Sequence, residues 1–262
     1  MKIGVFDSGL GGLIITKSFL RELGDYDYLY FGDTKNLPYG DKISSEVLML
    51  SIRAVEFLIK NNCKIIIFAC NTASSIALRY VQQIYIPQYY PNIKVLGVIV
   101  PTVEEAIASS KKKIGVTATN STINSHIYNI EIKKINPDIK VQELATPKLV
   151  PAIENDDFIL ADSLVQDYVK SFSNIDSIIL GCTHYPLLKE CFRKYLPEKV
   201  QVISQDEFMG EKLKKYLHNH PEIETKLTKN AEREFLVSQK NKYYEAVAGK
   251  IISGIKIKEV KI

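Results

Sequence analysis

The sequence predicts an α/β protein of two pseudo-symmetric lobes, each a mainly parallel sheet flanked by helices, with the active site in the interlobe cleft. Three observations lead there. Short β-branched runs alternate with helical patterns along the 262 residues, and strands alternating with helices build parallel sheets covered on both faces. Two stretches also recur in one phase. Lys2-Ile3-Gly4-Val5 returns as Lys113-Ile114-Gly115-Val116, an offset of 111 (113 minus 2), and the cysteines of Ile65-Ile66-Ile67-Phe68-Ala69-Cys70-Asn71-Thr72 and Ile178-Ile179-Leu180-Gly181-Cys182-Thr183-His184 stand 112 apart (182 minus 70). Their common offset favours a duplicated half over chance similarity. Finally, Ile65–Ala69 and Ile178–Leu180 are continuously apolar, as strands buried on both faces are. A cysteine at matching positions of two halves suggests one thiol on each wall of a cleft, the geometry for attacking one carbon atom from opposite faces.

Taken in order, strands are expected at about 2–7, 27–32, 64–69, 94–99, 113–117, 139–144, 176–180 and 199–203. The clearest helical patterns are Ser44–Lys60, Thr122–Lys134, Ile159–Phe172 and Met209–His218. The Tyr/Pro-rich segment Ile86–Asn92 reads as a surface excursion before the second lobe, and a crossover near Ser204–Glu207 returns the chain. Lobe one is therefore expected at 1–95 plus 206–262, and lobe two at 96–205. In such sheets ligands bind beyond the carboxyl ends of the strands. Asp7, Asp33, Cys70, Thr117 and Cys182 all stand where strands are expected to end.

Composition excludes several classes. A net charge of +4 with scattered lysines lacks the basic stripe with interleaved aromatics of a nucleic-acid binder. The densest basic run, Lys111-Lys112-Lys113, is expected to cap a helix C-terminus and lead into a strand. No apolar run approaches membrane-spanning length, and Met1-Lys2 runs straight into a strand, leaving no room for a signal peptide. Four dispersed cysteines without a Cys-x-x-Cys pair argue against a disulfide framework or zinc ribbon. The cytoplasm is the expected compartment, and Cys63 and Cys191 read as core residues.

Phe6-Asp7-Ser8-Gly9-Leu10-Gly11-Gly12 is a turn into a helix whose glycines allow close backbone approach and whose helix start attracts an anion. A dinucleotide fingerprint fails here, because its third glycine would fall at Ile14 and no convincing ribose-binding acid follows. A small carboxylate fits better. Asn71-Thr72 and Thr183-His184 follow the two cysteines; their backbone and hydroxyl donors can hold a carboxylate and lower a thiol's pKa from its usual value of about 8.5. His184 is placed to orient Cys182 or accept its proton. His126, His218 and His220 lie in helical or terminal stretches and read as structural or solvated. A metal site from Cys70, Cys182, His184 and Asp7 lacks the spacing of a zinc motif, so no metal is expected. Two other classes remain open to the residues alone. A two-lobed carboxylate-binding module would not need paired thiols, and a thiol–disulfide protein would need its cysteines at bonding distance rather than flanking a ligand.

Taken together, these segments resemble the cofactor-independent aspartate/glutamate racemase superfamily. The resemblance adds Tyr30-Phe31-Gly32-Asp33-Thr34, Leu37-Pro38-Tyr39-Gly40, Ala73-Ser74, Gly97-Val98-Ile99, Thr117–Tyr128, Val150-Pro151-Ala152-Ile153-Glu154 and Cys182-Thr183-His184-Tyr185-Pro186-Leu187, and spans about residues 1 to 188. Pro38-Tyr39-Gly40 and the threonine after Cys182 favour the glutamate branch, with aspartate the runner-up substrate. The resemblance implies an isomerase that interconverts L- and D-glutamate without cofactor, supplying D-glutamate for peptidoglycan and hence the cell wall. By it, Cys70 and Cys182 are the two acid/base residues, Asp7 supports Cys70, and Glu154 and His184 support Cys182. The substrate is gripped by Asp7, Ser8, Tyr39, the Gly40 backbone, Asn71, Thr72, Thr119, Thr122, Thr183 and His184. Asp33 is either a supporting acid or a turn-capping residue. The expected partner is a small-molecule substrate; a homodimer is compatible with the chain, and neither nucleic acid nor membrane is expected.

The chain also departs from the family pattern. Val100 and Thr102 stand where an acid and a glycine are common, Ser204-Gln205-Asp206 replaces Asp-Ser-Gly, Phe235–Gln239 lacks a late Gly-Asp, and the Ile251–Ile262 tail runs on with alternating Ile and Lys. None of these touches the implied catalytic set. The chemistry suits the residue types: inverting a stereocentre needs a base on one face of Cα and an acid on the other, which a thiolate facing a thiol supplies. With no cofactor to delocalise the carbanion, fixed donors around the α-carboxylate must stabilise the developing charge.

Overall fold

The computed structural model describes residues 1–110, 112–240 and 242–262. The chain forms two compact units, Met1–Val98 with Asp206–Ile262, and Ile99–Gln205. The first contains strands β1 (Lys2–Asp7), β2 (Tyr28–Gly32), β3 (Cys63–Phe68) and β4 (Lys94–Gly97). The second contains β5 (Lys113–Ala118), β6 (Lys140–Ala145), β7 (Ser177–Gly181) and β8 (Gln201–Ile203). After the return, β9 (Arg233–Val237) and β10 (Ile257–Glu259) join the first sheet.

Every pairing is parallel. The first sheet runs β10-β9-β2-β1-β3-β4 and the second β6-β5-β7-β8. The four strands β2-β1-β3-β4 thus repeat the order of β6-β5-β7-β8, and the recurring Lys-Ile-Gly-Val falls on β1 and β5, the equivalent strands. The fold is the α/β arrangement of two parallel sheets flanked by helices that the repeat led us to expect.

Strand burial explains the apolar runs. One face of the first sheet packs Ile3, Val5, Ile65 and Ile67 against Leu13, Ile15 and Phe19 of the helix Gly12–Glu22. The other packs Phe6, Phe31, Ile66 and Phe68 against Val47, Leu50, Ala54, Val55 and Leu58, which recur at helical spacing along Ser44–Lys60. Phe6 and Phe68 meet edge to face at 5.1 Å between ring centroids. Burying each such side chain contributes about 1.5–3 kcal/mol.

The C-terminal return is tied to the first sheet by Asp27, which is almost fully buried. Its carboxylate accepts the backbone N–H groups of Asn230 and Glu232 and the Asn230 side-chain amide, each at 2.9 Å. Burial alone would raise its pKa, but these bonds and one from Thr228 outweigh it and hold the carboxyl down at about 2.

Local readings differ from the structure in three places. The helix expected over Thr122–Lys134 is two helices, Asn120–Asn124 and Ile127–Ile135, because His126 adopts the left-handed conformation at φ 51°. The segment Ile86–Asn92 lies largely at the surface, as expected, but starts as a short helix, Ile86–Tyr89, anchored by the buried Ile86. The wider π turn Val81–Tyr85 just before it accommodates Pro87, whose ring would break a regular helix. Cys191 is half-buried against the second unit's core rather than within it. Lys113 opens β5 as expected, whereas Lys111, assigned with it to a helix cap, lies outside the described residues. Among the described residues no helix is long and apolar enough to cross a membrane.

Candidate functional site

In the first unit the expected residues gather beyond the carboxyl ends of β1, β2 and β3. Asp7 closes β1, and its Oδ2 accepts the Gly9 N–H at 2.9 Å, folding the turn back on the strand end. Glycine is required at position 12 for this: a Cβ there would lie 2.5 Å from the Asp7 Cβ. Tyr30 pins the same turn by donating its hydroxyl to the Gly9 carbonyl at 2.6 Å. Burial, then the charges of Asp7 and Cys70, hold Tyr30 well above the usual phenol pKa, which keeps it a donor.

Cys70 follows β3 and caps the helix Asn71–Ile76. Its Sγ lies 3.4 Å from the Ala73 N–H and 3.4 Å from the Ser8 hydroxyl. Both are donors able to stabilise negative charge on the sulfur. Asn71 and Thr72, in the first turn of that helix, are buried. Cys63, at the opposite end of the same strand, is a contrasting thiol, pushed up to about 12 chiefly by burial.

Tyr39 and Gly40 arrive from the loop after β2. Tyr39 is 2% exposed, and its hydroxyl donates to Asp33 Oδ2 at 2.8 Å. Asp33 also accepts from the Asn36 amide at 2.9 Å and from the Ser238 hydroxyl at 2.7 Å. It is therefore a hub that joins the Tyr39 loop to the segment after β9, more than a local turn cap. Burial and the Asp33 charge raise the Tyr39 pKa far above the usual phenol range. Gly40 follows in the short 3-10 turn Tyr39–Asp41 and is half-buried.

The second unit repeats this pattern. Cys182 follows β7, and its Sγ lies 3.8 Å from His184 Nδ1. His184 Nε2 is 3.3 Å from Glu154 Oε1, on the short helix Leu149–Glu154. The three groups form a chain of thiol, imidazole and carboxylate. Burial presses the His184 pKa down, but the hydrogen bonds and charges of Cys182 and Glu154 outweigh it and hold it well above the ordinary histidine value. Thr183 is 3% exposed. Thr119 leaves β5 at the level where Cys182 leaves β7, since Ala118 and Gly181 are register partners. Thr119 caps the helix Asn120–Asn124: its Oγ1 accepts the Thr122 N–H at 3.4 Å and meets the Thr122 hydroxyl at 3.1 Å.

Each unit thus collects its own share of the expected residues. Asp7, Ser8, Tyr39, Gly40, Cys70, Asn71 and Thr72 belong to the first; Thr119, Thr122, Glu154, Cys182, Thr183 and His184 belong to the second. His126 instead pairs with Glu143 at an exposed position, and His220 with Glu222. The sequence reading missed Ser238 as a partner of Asp33 and Tyr30 as the anchor of the Gly9 turn. It also missed the buried contact of Tyr185 with Thr146, at 2.8 Å between hydroxyls. Tyr30 and Tyr185 sit within quoted motifs, so an aromatic hydroxyl on an otherwise apolar buried stretch was the available signal; Ser238 offered none.

Residues 31–205 match the family model Asp/Glu/Hydantoin racemase. The chain is 35% identical to a protein named glutamate racemase 2 from Caldanaerobacter subterraneus subsp. tengcongensis, over 99% of this chain and 96% of that one. Among solved structures it is similar to a glutamate racemase isoform from Bacillus anthracis, with a TM-score of 0.90 and 32% identity, covering 100% of this chain and 97% of the other. It is also similar to a Francisella tularensis glutamate racemase solved in complex with D-glutamate, with a TM-score of 0.88 and 34% identity over 99% and 97% of the two chains.

Proposed function

The chain belongs to the Asp/Glu/hydantoin racemase family and so is an isomerase of the racemase class; from that premise we propose that it interconverts L- and D-glutamate by proton transfer at Cα between two cysteines. The observation that carries this reading is the equivalence of the two thiols. Cys70 and Cys182 follow the equivalent strands β3 and β7, and each is met by buried polar partners of its own. The mechanism requires both to reach one substrate Cα from opposite faces, one as thiolate and one as thiol, exchanging roles in the reverse direction.

The two sulfurs are activated differently. At Cys70 the Ala73 N–H and the Ser8 hydroxyl supply neutral donors that favour the thiolate. At Cys182 a protonated His184, itself held by Glu154, offers a full positive charge and a proton that can follow the thiol's own. Asp7 supports the Cys70 side by fixing the Gly9 turn that carries Ser8. Asn71, Thr72, Thr119, Thr122 and Thr183 supply amide and hydroxyl donors for the substrate's carboxylates, which must stabilise charge developing at Cα. Asp33 sets the position of Tyr39 and Gly40. The product fits supply of D-glutamate to peptidoglycan synthesis in the cytoplasm.

Purified enzyme without added cofactor, given L-glutamate and L-aspartate in parallel and followed by optical rotation, tests the substrate. Glutamate is expected to racemise much faster; activity on aspartate equal to or above that on glutamate overturns the assignment.

A further inference from the structure

Two of the residues at which the chain departs from the family pattern are Thr102 and Gln205, 103 positions apart in sequence. They stand beside the two points where the chain passes between its compact units. Thr102 lies in the first turn of the helix Ile99–Ala108, with which the second unit begins, and Gln205 is the last residue of that unit. Both are fully buried, and they meet: the Gln205 Nε2 amide donates to the Thr102 hydroxyl at 3.0 Å. A buried polar group left without a partner costs about 1–3 kcal/mol, so each departure supplies what the other needs.

The same amide reaches the hydroxyl of Tyr128, at 3.4 Å, in the first turn of the helix Ile127–Ile135. Thr102 bonds to that hydroxyl too. Tyr128 is itself fully buried, and the end of its ring that carries the hydroxyl covers Gly181, the last residue of β7 and the one before Cys182. The packing there is tight. A Cβ at position 181 would lie 3.1 Å from Tyr128 Cε2 and 2.9 Å from the Thr117 carbonyl oxygen, so glycine is required and the ring bears directly on the strand end. Burial, opposed by the Thr102 bond, and then the Cys182 charge hold the Tyr128 pKa far above the usual phenol range. The hydroxyl therefore stays neutral and keeps its place in the network.

We propose that Tyr128 and Gln205 are positioning residues for Cys182: the Thr102–Gln205 pair fixes the Tyr128 hydroxyl, and the Tyr128 ring fixes the Gly181 backbone from which Cys182 turns its sulfur toward His184. They act through packing, because close-packed interiors transmit strain, and misplacing a reacting group by about 1 Å can cost on the order of a hundredfold in rate. Their role rests on the reading of Cys182 as an acid/base residue and concerns that thiol alone, since Cys70 is held from Ser8 and Ala73 in the first unit.

Tyr128→Phe, Gln205→Met and Thr102→Val each remove one polar group of the network and keep its bulk, while Thr102→Ser keeps the hydroxyl. Two readouts separate positioning from stability alone. One is the pH dependence of alkylation by iodoacetamide, followed at each cysteine by peptide mass spectrometry; the other is racemisation of both C2-deuterated enantiomers of glutamate. Tyr128→Phe is expected to move the Cys182 alkylation profile to higher pH and to leave that of Cys70 in place. It should lower kcat about tenfold with KM little changed, and raise the primary isotope effect chiefly for the enantiomer that yields its proton to Cys182. Gln205→Met and Thr102→Val should do the same more weakly and provide the test should Tyr128→Phe fail to fold, with Thr102→Ser retaining most of what Thr102→Val loses. Cys70 and Cys182 profiles that shift alike, or a fall in Tm with the Cys182 profile and the isotope effects unchanged, overturns the proposal. A parent enzyme that leaves glutamate untouched would instead defeat the racemase reading, and the alkylation profiles alone then decide whether the network sets Cys182.

Discussion

Replacing Glu154 by Gln keeps the shape of the partner to His184 and removes its charge. The contact is 3.3 Å between Nε2 and Oε1, where two unit charges interact by about 5 kcal/mol at an effective dielectric constant of about 20. The Glu154 side chain is 33% exposed, so solvent screens part of this, and glutamine retains a hydrogen bond. We expect about 1.4–2.7 kcal/mol to be lost, equivalent to one to two pK units at His184 and to a ten- to hundredfold fall in kcat. The sign follows from the raised pKa of His184. Its contribution to stability is fully present below the unfolded value of about 6.5 and is lost as pH rises through the folded pKa. Glu154→Gln should therefore destabilise most at mildly acidic pH and converge with the parent at alkaline pH, while the alkaline limb of activity moves to lower pH. Because the equilibrium constant of racemisation is unity, kcat/KM must fall equally in both directions. The asymmetry belongs in the isotope effect, with the larger primary deuterium effect for the enantiomer that yields its proton to Cys182. Histidine titration by NMR and racemisation of both C2-deuterated enantiomers provide the assay. An unchanged His184 titration, or isotope effects that rise alike for both enantiomers, would refute the thiol–imidazole–carboxylate chain.

Other perturbations follow from the same geometry. Asp7→Asn should lower kcat far more than it raises KM, because support of proton transfer acts mainly in the transition state; steady-state kinetics with an intact turnover rate would make Asp7 only a turn residue. Gly12→Ala places a methyl group 2.5 Å from the Asp7 Cβ and should cost about 1–3 kcal/mol of stability by overpacking, together with activity, read by denaturant unfolding and kcat. Asp27→Ala orphans the amides of Asn230 and Glu232 and should cost about 2 kcal/mol at neutral pH. The Asp27 carboxyl titrates at about 2 when folded, so its contribution is present above about pH 3.9 and fades as pH falls through the folded value, narrowing the gap between variant and parent in acid.

The parts of the molecule legible in the sequence were those where local pattern and tertiary burial agree. Ile65–Phe68 and Ile178–Leu180 are buried on both faces, so their unbroken apolar character was a true strand signal, and the shared offset revealed two like halves, although not the common strand order of β2-β1-β3-β4 and β6-β5-β7-β8. Cys70 and Cys182 were legible because polar residues directly after such strands must stand at a sheet's carboxyl edge. The helix break at His126 was not, because the apolar period continues across it while a single left-handed residue redirects the chain. The π turn before Pro87 was hidden in the same way. The bulge at Lys64, where Lys2 pairs with Cys63 but Ile3 with Ile65, was invisible because a one-residue register slip leaves no mark in composition. Contacts between distant segments, such as Asp33 with Ser238 or Asp27 with Asn230, depend on where β9 lands beside β2, which no local pattern encodes.

The two-cysteine mechanism is tested by racemising a single enantiomer of glutamate in heavy water while following circular dichroism and the NMR signal of Cα–H. If Cys70 and Cys182 work on opposite faces, newly formed product carries deuterium while unreacted substrate largely keeps its protium. The isotope effect on return then drives the optical signal past zero before it settles, and Cys70→Ala and Cys182→Ala each abolish racemisation. Protium retained in the product, a signal that decays to zero without overshoot, or substantial racemisation by either alanine variant would contradict it.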